Sequence, residues 1–173
     1  SLTKLIYTNI NIRNICTDQY FKDQIILSSY NIDVDNINFN ILNIFSGEEQ
    51  TYLSSDDIVS EVTNNNNSTL YPSEYLNSFK PTGLPPSFLK LKIGCPIILL
   101  QNLASHQGLC NTFAMTINKS QVQSVKHIGL DLRILVFSHG QLYVALSHCT
   151  SLRNIKILLL PNSNHTLNIV YPE

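Results

Sequence analysis

The stretch QIILSSYNIDVDNINFNILNIF, residues 24–45, gives the clearest early indication of the fold. It opens with a short apolar run that ends in Ser and Asn, which is typical of a buried strand followed by a turn. Asn31 is a suitable N-cap for a helix after that turn. Apolar residues then recur at helical spacing, at Ile32, Val34, Ile37, Ile41, Leu42 and Phe45. The stretch therefore predicts strand, tight turn and helix, the opening of an α/β unit.

The last third of the chain has the same alternation of elements. HIGLDL (127–132) predicts a strand, SHGQLYVALSHC (138–149) a helix opened by Ser138, and NIKILLLP (154–161) a final strand. Upstream, FAMTINKSQVQSV (113–125) has the character of a helix or of a strand-to-helix turn. A β, α, β order of this kind predicts a parallel sheet.

The middle of the chain predicts a small β-rich element. FLKLKIGCPIILLQN (88–102) alternates apolar and polar residues, turns at Gly94 and continues as an apolar run, which indicates a β-hairpin. GEEQTYLSSDDIVSEV (47–62) is typical of a loop with a short strand or two. The first 20 residues fit either an edge segment or a short helix.

The composition limits the classes of function. The 173 residues suit one domain, or a domain with a small appendage, and only 13% of them are charged. The net charge is -1, and Arg13, Arg133 and Arg153 are the only arginines, so any contact with nucleic acid must be local. The four cysteines lack the spacing of a zinc site or a disulfide framework.

The chain also shows no targeting or membrane signal. The start SLTKLIYTNINIRN lacks the continuous apolar core of a signal peptide. The longest apolar runs, CPIILL and IKILLLP, are far shorter than the roughly 20 residues of a membrane-spanning helix. We therefore expect an intracellular chain without a membrane partner, and a nuclear one if it acts on DNA.

Several segments together resemble a known family. GLPPSFLKLKIGCPIILLQNLASHQGLCN (83–111), FAMTINKSQVQS (113–124) and FSHGQLYVALSHCTSLRNIKILLL (137–160) are similar to the C-terminal part of the PIF (petite integration frequency) DNA helicases, especially those of Helitron transposons. QIILSSYNIDVDNIN (24–38) and GEEQTYLSSDDIVSE (47–61) resemble the segments that precede them in that family.

The resemblance implies a fold and a domain organisation. It predicts a partial RecA-like sheet of the P-loop NTPase type, with the small β-hairpin left from an inserted SH3-like barrel. Residues 1–70 and 112–173 would form the second RecA-like domain, and residues 71–111 the truncated insertion. The first RecA-like domain, with the Walker A and Walker B motifs, would lie upstream. ATP and Mg²⁺ serve the full-length family, and we expect neither to bind tightly to this chain alone.

The resemblance also assigns residues to the nucleotide. His148 stands where the family has the Arg of YVALSR, and a neutral imidazole cannot supply the charge of a guanidinium on a phosphate. Gln24 replaces a basic residue at the start of its strand, and Val122 replaces a glycine. Gln121 and Gln141 would face the nucleotide, although packing alone predicts an exposed Gln141 on a helix whose Leu142, Ala145 and Leu146 face the sheet.

A polar cluster remains for the nucleic acid. In similar helicases, residues at the positions of Thr116, Asn118, Lys119 and Ser120 lie between the DNA strand and the nucleotide. Hydroxyls, an amide and one Lys can contact a phosphate backbone without reading sequence. From the residues alone, a surface helix start capped by Thr or Ser is an equal alternative. No residues are assigned to a metal.

The leading hypothesis is the C-terminal fragment of a PIF or Helitron-type ATP-dependent DNA helicase, inactive alone. Its partners would be single-stranded DNA, held weakly and locally, and a first RecA-like domain supplied in trans. The alternative is a non-enzymatic module that binds single-stranded DNA or another protein. A third hypothesis is a relic without function.

Overall fold

The computed structural model describes residues 1–12, 16–53, 75, 87–99, 109–120 and 124–172. Two single-turn 3-10 helices span Ile117–Ser120 and Leu152–Asn154. The helices and strands, in chain order, are α1 (Leu2–Ile6), α2 (Asp18–Lys22), β1 (Gln24–Ser28), α3 (Asn31–Ile44), β2 (Glu49–Leu53), β3 (Phe88–Lys92), β4 (Ile97–Leu99), β5 (Leu109–Asn111), β6 (Ala114–Thr116), β7 (His127–Asp131), α4 (Gln141–Ser147) and β8 (Ile155–Leu158).

Four strands form a parallel sheet in the order β6, β1, β7, β8. Strand β1 lies inside the sheet and is buried along its whole length, which explains its continuous apolar sequence. The predicted parallel α/β fold is confirmed. The strands predicted from Gln24, within 127–132 and within 154–161 are also confirmed, as β1, β7 and β8. The segment from residue 113 is a strand-to-helix turn, because β6 leads directly into a 3-10 helix.

Each face of the sheet carries its own hydrophobic core, since neighbouring strand residues point to opposite faces. Ile26 points to the face covered by α1 and α3, and Ile25 and Leu27 point to the face covered by α4. The buried members of the first core are Leu2, Ile6, Tyr7, Ile10, Ile26, Val34, Ile41, Leu42, Phe45, Phe113 and Ala114. Those of the second are Ile25, Leu27, Met115, Ile117, Val125, Ile128, Leu130, Leu132, Val136 and Ala145.

Helix α1 packs closely on the middle of the sheet. A Cβ atom added to Gly129 would lie 2.7 Å from Cγ1 of Ile6 and 3.1 Å from Cγ of Leu2. Just after the helix, the buried hydroxyl of Tyr7 donates a hydrogen bond to the C=O of Phe113. Burial raises the pKa of Tyr7 far above its ordinary value, so this hydroxyl stays a donor. Of the two alternatives for the first 20 residues, the described part shows the short helix, in α1 and at the start of α2.

Helix α3 confirms the predicted helix but begins differently. The first intrahelical bond runs from the N–H of Val34 to the C=O of Tyr30, so Tyr30 is the N-cap, and the prediction of Asn31 was wrong by one residue. Ile32 is 67% exposed, because it lies two positions from buried Val34 and so on another side of the helix.

One polar residue of α3 closes the open edge of the sheet. Asn38 is buried, and its side-chain amide donates to the C=O of Ala114 at 3.1 Å and accepts from the N–H of Ala114 at 2.8 Å. Ala114 belongs to β6, the outermost strand on that side. The side chain of Asn38 therefore takes the place of a neighbouring strand.

Helix α4 is also confirmed, but Ser138 does not cap it. Its N-cap is Gly140, which has φ +70, and the first intrahelical bond runs from the N–H of Val144 to the C=O of Gly140. Ser138 lies two residues before Gly140, and its C=O accepts from the N–H of Gln141. The left-handed backbone at Gly140 sets the true start of the helix.

The predicted β-hairpin at 88–102 was wrong. The chain does turn at Gly94, with φ +89, but β3 pairs antiparallel with β2, and β4 pairs antiparallel with β5. Pro96 has no N–H, and its C=O accepts from the N–H of Thr112, next to the end of β5. The two strands beside the turn therefore diverge into separate sheets.

The domain limits 1–70, 71–111 and 112–173 stay a prediction. Strand β2 falls in the first of these ranges and pairs with β3 of the second, where Lys90 and Glu49 also form a salt bridge at 2.7 Å. No helix within the described ranges is long and apolar enough to cross a membrane.

Candidate functional site

The polar cluster lies at the carboxyl edge of the parallel sheet. Thr116 ends β6 beside Ser28, the last residue of β1, and is 7% exposed. The hydroxyl of Ser120 is buried and donates to the C=O of Ile117 within its own 3-10 turn, rather than capping the start of a helix. Asn118 and Lys119 are exposed, so these two of the four predicted DNA-binding residues face solvent.

Acidic residues offset the positive charge at this edge. The Arg133 guanidinium makes paired bonds to Asp131, with Nε 3.0 Å from Oδ1 and Nη2 2.7 Å from Oδ2. These hydrogen bonds raise the pKa of Arg133. Burial raises the pKa of Asp35, and the nearby charge of Lys119 acts in the opposite direction. Lys119 and Arg133 each lie near a carboxyl group. Their positive charges are therefore partly neutralised, and the edge attracts a phosphate only weakly.

Gln141 is buried at this same edge, with 2% of its surface exposed. Its side-chain Oε1 accepts from the N–H of Phe137 at 3.0 Å, and its Nε2 lies 3.4 Å from Oδ1 of Asn118. The prediction of an exposed Gln141 was wrong, because the side chain at the start of α4 reaches over the preceding loop to the 3-10 turn.

An aromatic pair stands beside this contact. Tyr30 follows β1, Phe137 precedes α4, and their ring centroids are 5.0 Å apart at an interplanar angle of 41°. The rings are 39% and 46% exposed. These residues were not selected from the sequence alone. Both follow strands whose carboxyl ends meet at one edge of the sheet, and that position could have indicated that they lie near a candidate binding site.

Gln24, predicted to face the nucleotide, and His148, at the position of the family's arginine finger, lie at the opposite, amino edge. Gln24 is the first residue of β1, opposite His127 of β7. His148 ends α4, where its C=O accepts from the N–H of Val125 just before β7. Both Gln24 and His148 are buried, with 8% and 9% of their surfaces exposed.

The structure does not bring all the predicted nucleotide-facing residues together. Gln141 and His148 lie at opposite ends of α4, and seven residues of helix span about 10 Å. Gln121 lies outside the described residues, as does Val122. The nucleotide-facing roles of Gln24, Gln121 and Gln141 stay predictions.

The fold has relatives among solved structures. A Pif1 helicase from Candida albicans superimposes with a TM-score of 0.60 at 17% identity, over 86% of this chain and 46% of that one. Bacteroides Pif1 bound to ssDNA gives a TM-score of 0.57 at 17% identity, over 98% of this chain and 51% of that one. The shared fold is RecA-like, and the chain spans about half the length of these structures.

Sequence comparison links a shorter segment to the same helicases. Residues 74–119 match the family model of the DNA helicase Pif1 2B domain. An ATP-dependent DNA helicase PIF7 from Trypanosoma brucei brucei is 47% identical over 45 residues, which are 26% of this chain and 4% of that protein. The chain is similar to the C-terminal part of PIF-type helicases. The Helitron origin and the SH3-like character of the insertion stay predictions.

The amino edge of this PIF-type fold borders a cavity of about 630 Å³. Lys22, at the end of α2, and Gln24 line it from one side, and Cys95 and Ile97 from another. The sequence did not single out Lys22, because nothing in a lone Lys at a helix end indicates a cavity. His148 is not among the residues that line it.

For the described residues, weak binding of ATP and Mg²⁺ to this chain alone stays a prediction. Among them, no group of three or more His, Cys, Asp or Glu side chains is arranged to hold a metal ion. At His148, Nε2 is buried without a hydrogen-bond partner in the part of the chain that the structure describes. One imidazole is a weak substitute for the arginine that the PIF-type pattern has there.

Proposed function

We propose that this chain supplies the strand-contacting half of a PIF-type ATP-dependent DNA helicase, and that alone it holds single-stranded DNA weakly and does not hydrolyse ATP. The observation that supports this most is the exposure of Asn118 and Lys119 at the carboxyl edge of the sheet. Both lie at the end of the segment that matches the 2B family model. A solved Pif1 of similar fold is described as bound to ssDNA.

Weak binding follows from the charges. The charge of Lys119 acts on the carboxyl group of Asp35, and Arg133 is paired with Asp131. Each phosphate contact on a single strand changes the logarithm of affinity by about 0.7 per tenfold change in salt. A site with one principal lysine therefore has a shallow salt dependence and a low affinity.

The DNA contact is tested by fluorescence anisotropy of a labelled oligo(dT) at 50 and 200 mM salt. We expect weak binding that falls with salt, and lower affinity for Lys119→Ala with a salt slope reduced by about 0.7 to 1. Lys4→Ala is the matched control, because Lys4 lies on α1, on the far side of the sheet from α4. If wild type does not bind, or if Lys119→Ala and Lys4→Ala behave alike, the proposed contact is wrong.

Nucleotide dependence separates the two leading functions. A non-enzymatic DNA-binding module would bind oligo(dT) equally with and without ATP and Mg²⁺. A helicase half that joins a first RecA-like domain would gain affinity when that domain and ATP are both added. The same anisotropy titration with a first RecA-like domain supplied in trans measures the difference.

Hydrolysis by the chain alone is the second prediction. We expect ATP turnover at the buffer rate, with or without oligo(dT), because phosphoryl transfer requires positioned positive charge and a metal held by carboxylates. Phosphate release from ATP and Mg²⁺ measures it. DNA-stimulated hydrolysis that is lost in His148→Ala would contradict the proposal. It would mean that His148 stabilises the transferred phosphate in place of the family's arginine.

A further inference from the structure

The Tyr30–Phe137 pair is a packed aromatic surface that stays open to solvent. The two rings lie against each other, yet each keeps more than a third of its surface exposed. The loop before α4 holds Phe137 in place, because Leu132 and Val136 are buried in the core while Phe137 points outward. The pair is therefore fixed by packing rather than free to collapse into the core.

The same pair is connected to the predicted strand-contacting residues. Buried Gln141 accepts from the main-chain N–H of Phe137 and contacts the side chain of Asn118. Tyr30 comes two residues after Ser28, which pairs with Thr116. The aromatic surface and the 3-10 turn at Ile117–Ser120 are thus parts of one continuous edge.

The chemistry of this edge combines two features. Asn118 and Lys119 offer an amide and an ammonium group suited to a phosphate backbone. Exposed aromatic rings offer faces on which unpaired bases stack, and every base has such a face. A single strand that lies along this edge meets both features at once.

We propose that Tyr30 and Phe137 form a stacking surface for a base of single-stranded DNA whose backbone lies against Asn118 and Lys119. This inference rests on the proposed function and adds to it the part of the DNA that is held. Gln141 is a positioning residue, since it holds the Phe137 loop and the 3-10 turn together.

The test compares two oligonucleotides of equal length and charge, oligo(dT) and a fully abasic strand. Tyr30→Ala and Phe137→Ala should each weaken the binding of oligo(dT) about tenfold, and the binding of the abasic strand less than twofold. Tyr143→Ala is the matched control, because Tyr143 is 74% exposed on α4 and belongs to no aromatic pair among those described. Anisotropy titrations at one low salt concentration give all the affinities.

Two results would overturn the proposal in distinguishable ways. If wild type binds oligo(dT) and both variants bind it equally well, the stacking surface is wrong and the proposed strand contact stands. If wild type binds neither oligonucleotide, the proposed function fails, and the stacking surface fails with it.

A second variant covers the case in which an alanine substitution disturbs the fold. The chain contains no tryptophan, so Phe137→Trp places a lone reporter in the pair with its aromatic character kept. We expect oligo(dT) to quench its fluorescence and the abasic strand to leave it unchanged. Equal quenching by both strands, or by neither while anisotropy reports binding, would contradict stacking.

Discussion

Replacing Asn38 with leucine is expected to lower the free energy of unfolding by about 2–6 kcal/mol. The side chain of Asn38 pairs with both main-chain groups of Ala114, at 3.1 and 2.8 Å. Leucine has a similar size but neither donor nor acceptor, so the variant leaves a buried N–H and a buried C=O without partners. Each such group costs about 1–3 kcal/mol.

The size of this effect follows from the position of β6. In the parallel pairing of β6 with β1, the C=O of Phe113 accepts from the N–H of Ile26, so the main-chain groups of Ala114 point away from β1. On that side, the part of the chain that the structure describes contributes no further strand to the sheet. Among the described residues, Asn38 is thus the partner of these two groups, and Ala114 is only 1% exposed, so both groups are buried.

Urea unfolding followed by circular dichroism measures the difference. Asn40→Leu is the matched control, because Asn40 is exposed on the same helix, and a surface substitution there should change stability by less than about 0.5 kcal/mol. Equal stability of Asn38→Leu and Asn40→Leu would show that the edge contact contributes nothing.

Elements with strong local periodicity could be predicted from the sequence. An apolar run predicts strand β1, and apolar residues at helical spacing predict helix α3. Both elements are confirmed. The exact first residues of the helices could not be predicted. The N-cap is the residue whose C=O accepts the first helical hydrogen bond, and that bond depends on the backbone conformation, which the spacing of apolar residues does not specify. At α4 that residue is Gly140, whose left-handed backbone no local pattern revealed.

Strand pairing was beyond local reasoning. The alternation on both sides of Gly94 fits a hairpin equally well whether or not the two strands pair with each other. The true partner of β3 is β2, which is distant in sequence. Which strand pairs with β3 depends on contacts between distant segments, and the alternation of apolar residues within one strand does not identify its partner.

The candidate site was predicted in part. The resemblance to PIF-type helicases selected the segment around Asn118 and Lys119, and the structure leaves both exposed at the sheet edge. It did not predict that Gln141 is buried behind them, or that Tyr30 meets Phe137. Those contacts join segments far apart in the chain, so they depend on the packing of α4 over the sheet.

The second large effect concerns Gly129, where valine is expected to destabilise the protein by about 3 kcal/mol, the upper end of ordinary overpacking costs. A Cβ atom alone would lie 2.7 Å from Cγ1 of Ile6 and 3.2 Å from Cγ1 of Ile26. Ile26 is buried in an inner strand of the sheet, so we expect α1 to shift or to detach from the sheet. Thermal unfolding and hydrogen exchange in α1 measure the two consequences.

Two comparisons identify the cause as the packing of α1. Gly140→Asn should cost less than about 1 kcal/mol, because no atom lies within 4 Å of the added Cβ and Asn tolerates a left-handed backbone. In an Ile6→Ala background, Gly129→Val should cost about 0.5–3 kcal/mol less than in wild type, since the nearest clashing atom is gone. If its cost is the same in both backgrounds, the contact between Gly129 and Ile6 does not limit the approach of α1 to the sheet. The loss would then come from β7 itself, and hydrogen exchange would rise in β7 before it rises in α1.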